Sequence, residues 1–217
     1  TKEWAELQEK FNDCVDIFVL GHGGNLGVAD HAAVDISRLS NGTKNAQAPG
    51  SGIVATSLIN DSSFDDWMVH WVRQRTVSST QEQLNKTLIL GISSSGKSVD
   101  IIKALEDGQS RGMQVGMITS YPIPAKIESL TEVVLGAEYY HTSEVLTLLL
   151  TYELTHGSGK VCPPIGGNRP EDIAHYNTNG EIREHSFKDE TRNIGVDFDG
   201  VIHKNSKGYY DGTIYDE

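Results

Sequence analysis

Cysteines and long apolar runs are scarce in this 217-residue sequence. The two cysteines, Cys14 and Cys162, lie far apart, which excludes a disulfide framework and a cysteine-based metal site and favours a reduced, intracellular setting. The longest apolar run, around 145–150, is much shorter than the ~20 residues that a membrane helix needs. The polar start of the chain predicts no signal peptide. We therefore expect a cytoplasmic protein with no membrane partner.

Basic residues are also in short supply, since 18 Lys and Arg stand against 30 Asp and Glu and the formal net charge is -12. Such a chain has no bulk attraction for nucleic acid or for an anionic membrane. An anionic ligand would have to be held by local donors against the overall field. Hydrophobic residues make up 37% of the chain, which is enough to bury a real core. The length suits one ordinary domain with an appendage.

Apolar runs of strand length alternate with segments of helical periodicity. This alternation predicts an α/β fold, a three-layer α/β/α sandwich with a five-stranded parallel sheet of the flavodoxin or Rossmann type. The predicted strands are Val15–Leu20, Gly52–Leu58, Thr87–Ile92, Met113–Thr119 and Leu130–Leu135. The predicted helices are 2–13, Leu26–Leu39 with Asn25 as its cap, Asp65–Arg75, Lys97–Arg111 and Thr142–His156, and 40–51 is predicted to be a loop.

The stretch from Leu88 to Ser98 (LILGISSSGKS) carries the strongest chemical signal. An apolar run ends at Gly91, four serines follow closely, and a helical pattern begins at Val99. This order predicts a strand, a tight turn and a helix N-terminus. Free backbone N–H groups and the positive end of the helix dipole meet at such a turn, and the hydroxyls add donors. We therefore expect it to bind a phosphate group.

The same stretch satisfies the pattern G-x-x-x-x-G-K-S of a nucleotide-binding P-loop. In that interpretation Lys97 contacts the phosphates, Ser98 contacts magnesium, and Ile194–Asp197 supplies an acidic strand. The context of this stretch in the sequence disfavours the P-loop interpretation. Three of the four variable positions are serine, a second glycine loop stands at Gly21–Gly24, and the strand Met113–Thr119 has no acidic residue at its end. An ordinary helix cap would need only one serine.

Three separated motifs together resemble the sugar isomerase (SIS) family, and within it the phosphoheptose isomerases. Their order and spacing agree over residues 2–156, which is most of the chain. The motifs are Gly21–Asn25 with His31 and Asp35 downstream, Asn60-Asp61 with Phe64 and Asp66, and Leu90–Ser98 with Ile101–Ala104.

This resemblance implies the SIS fold and a sugar-phosphate ligand. Four small hydroxyls at a helix N-terminus suit a compact phosphomonoester, and Lys97 would add charge or point to solvent. The implied phosphate ligands are Ser93, Ser94, Ser95 and Ser98. The implied contacts to the rest of the substrate are His22, Gly23, Gly24, Asn60 and Asp61, with His22 in the place of an Asn of the relatives.

His31 and Asp35 stand four residues apart on a predicted helix, so they share one face. In the phosphoheptose isomerases a His and a Glu at these places bind zinc, and the Glu also contacts substrate. Here Asp35 replaces that Glu, and no histidine falls in register on the last helix. Glu144 is the best third group, with His141 or His156 as substitutes. The resemblance thus implies His31, Asp35 and Glu144 as catalytic residues and Zn²⁺ ligands; the alternative is a surface His–Asp pair.

The segment Asp197–Val201 (DFDGV) follows an apolar strand and resembles motif I of the haloacid dehalogenase (HAD) phosphatases, which use Mg²⁺. So few residues remain after it that Asp197 and Asp199 cannot form a working site alone. We predict a domain at 1–157, a linker or surface wrap at 158–192, and the truncated start of a HAD-like domain at 193–217.

The resemblance implies an aldose–ketose isomerase. Its substrate would be a seven-carbon ketose phosphate such as sedoheptulose 7-phosphate, converted to D-glycero-D-manno-heptose 7-phosphate for heptose biosynthesis. The missing histidine and the Glu-to-Asp change favour an alternative, a non-catalytic SIS module that senses a sugar phosphate or scaffolds a partner. A P-loop kinase is the third candidate. Sites of this family lie at subunit boundaries, so we expect a homodimer or homotetramer.

Overall fold

A computed structural model describes residues 1–40, 42–157, 194–196 and 202–204. Five strands within residues 1–157 form one sheet, and helices cover both of its faces. The strands are β1 (Asp16–Leu20), β2 (Asn45–Gln47), β3 (Thr87–Ser93), β4 (Gln114–Thr119) and β5 (Thr131–Val134). The helices are α1 (Lys2–Asp13), α2 (Gly24–Leu39), α3 (Gly52–Asp61), α4 (Trp67–Arg75), α5 (Gln81–Asn85), α6 (Val99–Ser110) and α7 (Tyr140–Gly157).

All neighbouring strands of this sheet run parallel, in the order β2-β1-β3-β4-β5. The chain leaves β1 toward β2 on one side and continues from β3 toward β4 and β5 on the other. Strand order therefore reverses between β1 and β3, and such a switch point leaves a crevice at the carboxyl ends of the strands. The register pairs Leu20 with Gly91, so the loops after β1 and β3 begin side by side.

Apolar side chains fill both faces of the sheet, which is why helices cover both. Along β1, Ile17 and Val19 lie in the core shared with α1, α2 and α7. Phe18 and Leu20, the alternate residues, lie in the core shared with α4 and α6. This arrangement confirms the predicted α/β sandwich with a five-stranded parallel sheet.

The predicted count of five strands is right, but one predicted strand is wrong. Residues 52–58 belong to the helix α3. Their apolar, β-branched run fits a short strand or a helix equally well by pattern. The helix buries Leu58 in the core on the α4 side of the sheet. The edge position of the sheet is taken instead by β2, three residues inside the segment predicted as loop.

The chain divides into two compact units, Thr1–Cys162 and Pro163–Glu217. In the second unit β6 (Ile194–Val196) and β7 (Ile202–Lys204) pair antiparallel. Asp197 and Asp199 lie outside the described residues, so the HAD resemblance and the predicted domain boundaries stay predictions. In the described part of the chain, no helix has the length and apolar character needed to cross a bilayer.

Cys14, directly after α1, is a buried free thiol, and burial raises its pKa from about 9 to about 11. Because folding favours the thiol over the thiolate, this group lowers the stability of the fold as pH rises from about 9 to 11. At pH 8 a thiol with a pKa of about 11 is present as thiolate about 100-fold less often than a thiol with a pKa of about 9. Iodoacetamide should therefore modify Cys14 at least 100-fold more slowly in the folded than in the urea-unfolded chain. Peptide mass spectrometry measures Cys14 separately from Cys162, and equal rates in both states would contradict the burial.

Candidate functional site

Two loops meet at the carboxyl edge of the sheet. We call them the glycine loop (Gly21–Asn25, after β1) and the serine loop (Ser93–Ser98, after β3). Asn25 is buried in the first turn of α2, and its Nδ2 donates to Oγ of Ser94 over 3.0 Å. The prediction that Asn25 caps α2 is wrong, because the cap is Gly23, at φ 56°. The Asn25 side chain instead joins the two loops.

The serine loop is a tight turn that leads into the 12-residue helix α6. The hydroxyls of Ser93 and Ser98 lie 3.0 Å apart and share a hydrogen bond. Ser98 is the N-cap residue of α6, but its side chain makes no hydrogen bond to the helix backbone. The first N–H groups of α6 are therefore not satisfied by the Ser98 hydroxyl, and the helix dipole ends here. The turn offers donors and partial positive charge to an anion.

A cavity of about 460 Å³ opens in front of the serine loop. Ser94, Ser95 and the exposed Lys97 line one side of it, so hydroxyls and one positive charge border the same space. The other lining residues come from the segments after β4 and β5 and from the start of α7. They include Ser120, Tyr121, Glu138, Tyr139, Tyr140 and Ser143. The volume is in the range of small-molecule sites.

Two serines of this cavity wall are absent from the sequence prediction. The Ser120 hydroxyl donates to Oγ of Ser143 over 2.8 Å, and both side chains are buried. Ser120 follows β4 and Ser143 lies in the first turn of α7, so the bond ties these two elements together. The only signal in the sequence is the run Ser-Tyr-Pro at 120–122, which ends the fourth predicted strand.

Glu144, predicted as a site residue, lies against the glycine loop. Its carboxyl group packs so closely on Gly24 that a side chain at position 24 would collide with it. The contact brings together the first residue of α2 and the N-terminal part of α7. Among the predicted site residues, Glu144 therefore contacts the glycine loop.

His22, in the glycine loop, is oriented by a buried carboxylate. Its Nε2–H donates to Oδ2 of Asp100 over 2.7 Å, and Asp100, in the first turn of α6, is fully buried. The ring of Phe64 stacks on the imidazole with centroids 5.5 Å apart, and Trp67 lies at 6.2 Å. The side chain of His22 remains 32% exposed. Sequence reasoning misses Asp100 because an acidic residue in a first helical turn is common.

His31 and Asp35 share a face of α2, with Nε2 and Oδ2 3.7 Å apart. Tyr152 of α7 packs edge-on against the His31 ring, and its hydroxyl lies 3.3 Å from Nδ1. His31 follows Gly24 by seven residues, which corresponds to about 10 Å along the helix axis. The pair therefore lies away from the glycine loop, on the flank where α2 meets α7.

The predicted zinc ligands do not form one cluster. Within the residues that the structure describes, no three His, Cys, Asp or Glu side chains lie close enough to hold a metal ion. His31 and Asp35 supply two ligands, whereas Glu144 packs on Gly24. Zinc sites in proteins use at least three protein ligands. The described residues of one chain therefore do not fit this ion.

Asn60 and Asp61 end α3 rather than following a strand, which corrects their predicted context. Both are exposed, and Nδ2 of Asn60 donates to Oδ1 of Asp61 over 3.1 Å. They stand a few residues before Phe64, whose ring stacks on His22. Their segment thus reaches the same edge of the sheet, although neither residue is among the described ones that line the cavity.

Gly96 sets the shape of the serine loop. Its φ is 67°, and a Cβ at this position would lie 2.6 Å from the Tyr121 carbonyl oxygen. We expect Gly96→Ala to lower the free energy of unfolding by about 1–2 kcal/mol or more and to weaken phosphate binding, because the turn must open. Gly27→Ala is the matched control: it lies in α2 with open space around it and should gain up to about 1 kcal/mol. Urea unfolding followed by tryptophan fluorescence measures both, and equal effects would contradict this account.

Solved structures with this fold include phosphoheptose isomerases. The isomerase from Neisseria gonorrhoeae is 20% identical, with a TM-score of 0.59 over 73% of this chain and 86% of that one. The isomerase from Francisella tularensis is 18% identical, with a TM-score of 0.59 over 72% of this chain and 85% of that one. No protein-family model and no curated protein sequence matches the chain. At these identities the likeness shows the fold alone, an α/β sandwich with a parallel sheet consistent with the SIS fold. Nothing in these comparisons supports the HAD-like resemblance.

Proposed function

We propose that the chain is a sugar-phosphate isomerase, which interconverts a ketose phosphate and an aldose phosphate. The observation that carries this proposal is the cavity in front of the serine loop, bordered by Ser94, Ser95 and Lys97. Hydroxyls and a helix N-terminus without a side-chain cap suit a phosphomonoester. At about 460 Å³ the cavity has room for the sugar that carries the phosphate.

The proposed substrate is sedoheptulose 7-phosphate, and the proposed product is D-glycero-D-manno-heptose 7-phosphate. The choice of a seven-carbon sugar draws on the likeness to two phosphoheptose isomerases. Ser93, Ser94, Ser95 and Ser98 are proposed to hold the phosphate. The glycine loop with His22, Gly23 and Gly24, together with Asn60 and Asp61, is proposed to contact the sugar.

Isomerisation moves a proton between neighbouring carbons, so it needs a base at the carbon and a group that handles the oxygens. Glu144 is proposed as one of these groups, because its carboxyl group packs on the glycine loop. His31 and Asp35 lie about 10 Å farther along α2. Their predicted roles in catalysis and zinc binding stay predictions, and metal analysis of the purified protein tests the second of them.

A binding experiment separates the sugar-phosphate proposal from the P-loop alternative. Sedoheptulose 7-phosphate should raise the melting temperature of the protein in proportion to the logarithm of its concentration, because it binds the native state. ATP with Mg²⁺ should leave the melting temperature unchanged. The reverse pattern would overturn the proposal and favour a nucleotide at Gly91–Ser98.

Isomerase activity needs a second measurement. In D₂O, an isomerase should exchange a carbon-bound hydrogen of the sugar next to its carbonyl group and form the aldose, both of which NMR detects. A non-catalytic sugar-phosphate-binding module is the second candidate, favoured because only two of the three predicted metal ligands pair in the described chain. Binding of the sugar phosphate without exchange would identify that module.

The proposed assembly is a homodimer or homotetramer. Val145 and Leu149 of α7 are 59% and 53% exposed, and Val34 of α2 is also exposed. These side chains give the α2 and α7 layer an apolar surface that a second copy would cover. Light scattering coupled to size exclusion measures the mass, and a monomer at micromolar concentration would contradict this proposal.

A further inference from the structure

We infer that His22 is the acid–base catalyst of this site, with Asp100 as its positioning residue. The inference rests on the proposed isomerase function and assigns its proton transfer. Beyond a hydrogen bond to the sugar, His22 is thereby given the role of exchanging a proton with a sugar carbon. Three features carry it: the hydrogen bond to Asp100, the burial of that carboxylate, and the place of His22 at the strand switch.

The hydrogen bond to Asp100 defines which nitrogen of His22 can act. Since Nε2–H donates to Oδ2 over 2.7 Å, the neutral imidazole carries its lone pair on Nδ1. A carboxylate bonded to one imidazole nitrogen holds the ring in this tautomer and stabilises the imidazolium after proton uptake. The stacked ring of Phe64 keeps the imidazole from turning. The imidazole is thus pre-oriented to accept a proton at Nδ1.

Asp100 is buried in a way that ordinary helix-capping does not explain. The residue is fully buried, and its Oδ1 has no hydrogen-bond donor among the described residues. Burying a carboxylate that has a single hydrogen-bond partner lowers the stability of the fold. We take this cost as a sign that the carboxylate has a functional role at that partner. Asp100 lies in the first turn of α6, the helix that begins directly after the serine loop. The serine loop and the carboxylate that orients His22 therefore belong to the same helix end.

His22 lies at the edge of the sheet that carries the serine loop, although it is not among the described residues that line the cavity. It lies in the loop after β1, next to the loop after β3 at the switch point of the sheet. At 32% exposed, its side chain is open to a ligand. Of the histidines predicted for the site, His31 is about 10 Å along α2. Among the histidines that the structure describes, His22 combines a buried orienting carboxylate with this edge of the sheet.

The proposed step balances without a co-reactant. His22 Nδ1 takes a proton from the hydroxyl-bearing carbon next to the ketose carbonyl. The C–H electron pair forms the C=C bond of an enediolate, and the C=O π pair moves onto the carbonyl oxygen. The proton of the neighbouring hydroxyl passes to the former carbonyl oxygen, with Glu144 as the proposed carrier. The imidazolium then returns its proton to the former carbonyl carbon, and the aldehyde forms at the first carbon.

The test compares wild type with His22→Asn, Asp100→Asn and the control His70→Asn, which replaces an exposed histidine of α4. We expect His22→Asn to lower kcat and the exchange rate in D₂O about 10²- to 10⁴-fold, and Asp100→Asn to lower them at least tenfold. The KM and the melting-temperature rise with sedoheptulose 7-phosphate should change less than twofold. Added imidazole should restore part of the activity of His22→Ala, which a purely structural role would not allow.

The outcomes distinguish the inference from the function on which it rests. Wild-type exchange with an unchanged kcat in His22→Asn would overturn the catalytic role and leave the isomerase standing. A raised KM with an unchanged kcat would assign His22 to binding instead. A wild-type protein that binds the sugar phosphate without exchange would overturn both the inference and the isomerase. Circular dichroism and the melting temperature of each variant separate unfolding from lost chemistry.

Discussion

Replacing Ser95 by aspartate is expected to weaken binding of the sugar phosphate strongly. Ser95 lines the cavity beside Ser94 and Lys97, and its Oγ accepts a hydrogen bond from the Lys97 N–H over 3.3 Å. A carboxylate here would put negative charge next to the phosphate and would occupy the donors that the phosphate needs. We expect the Kd to rise at least about 100-fold, which corresponds to ~2.7 kcal/mol. Calorimetric titration with sedoheptulose 7-phosphate measures it.

Two further variants separate charge from shape at Ser95. Ser95→Ala removes one hydroxyl and should raise the Kd about three- to tenfold. Ser78→Asp adds the same charge at an exposed serine between α4 and α5, in the connection that leads to the start of β3, and should leave the Kd unchanged. Binding that survives Ser95→Asp at the wild-type Kd would mean that the phosphate lies elsewhere.

The bounds of β3, the serine loop and α6 can be predicted from the sequence, because the local sequence pattern and the tertiary packing favour the same structure there. Thr87–Ser93 contains the apolar residues Leu88–Leu90 and Ile92, and every residue of this strand is buried. Such a short apolar run, followed at once by a glycine- and serine-rich turn, is typical of a strand that is buried on both faces of a parallel sheet. The helix that follows repeats its apolar residues at helical spacing, so the strand, turn and helix are all predicted within two residues of their bounds.

The sequence does not predict elements in which apolar and polar residues follow no clear helical or strand period. Gly52–Asp61 is apolar on several sides, and period alone does not separate a short strand from a helix. The three residues Asn45–Gln47 of β2 are polar or small, and they form a strand only because β1 offers them a free edge. The short helix Gln81–Asn85 depends on a capping box between Thr80 and Gln83, a signal present in the sequence but easily taken for a loop.

In the candidate site, too, local features of the sequence can be predicted and contacts between distant residues cannot. The serine loop is predictable because four hydroxyls lie together in the chain itself. The His22–Asp100 and Ser120–Ser143 contacts join residues 78 and 23 positions apart, so no local pattern announces them. Glu144 was expected at the site from a resemblance, but its contact with Gly24 depends on how α7 packs against α2. Sequence predicts the loop that would bind phosphate, and only tertiary structure reveals the groups that would act on the sugar.

The second large expected effect concerns Trp71, which lies in the core between the sheet and the helices α4 and α6. Trp71 is buried, its ring meets Phe18 of β1 edge-on with centroids 5.5 Å apart, and the Arg75 guanidinium lies 4.0 Å from the ring centroid. Phe18 stands three residues before Gly21, so this contact also supports the strand that carries the loop. We expect Trp71→Ala to lower the free energy of unfolding by about 3–5 kcal/mol, because it leaves a large cavity.

The matched variant is Trp71→Phe, since the indole Nε1 of Trp71 has no hydrogen-bond partner among the described residues. Phenylalanine removes that unsatisfied donor and keeps an aromatic edge for Phe18, so we expect a loss of less than about 2 kcal/mol. The remaining tryptophans, Trp4 and Trp67, lie in the first unit, and their fluorescence in urea therefore reports its unfolding alone. A loss as large for Trp71→Phe as for Trp71→Ala would mean that the indole N–H has a partner that holds the fold, because a cavity alone would separate the two variants.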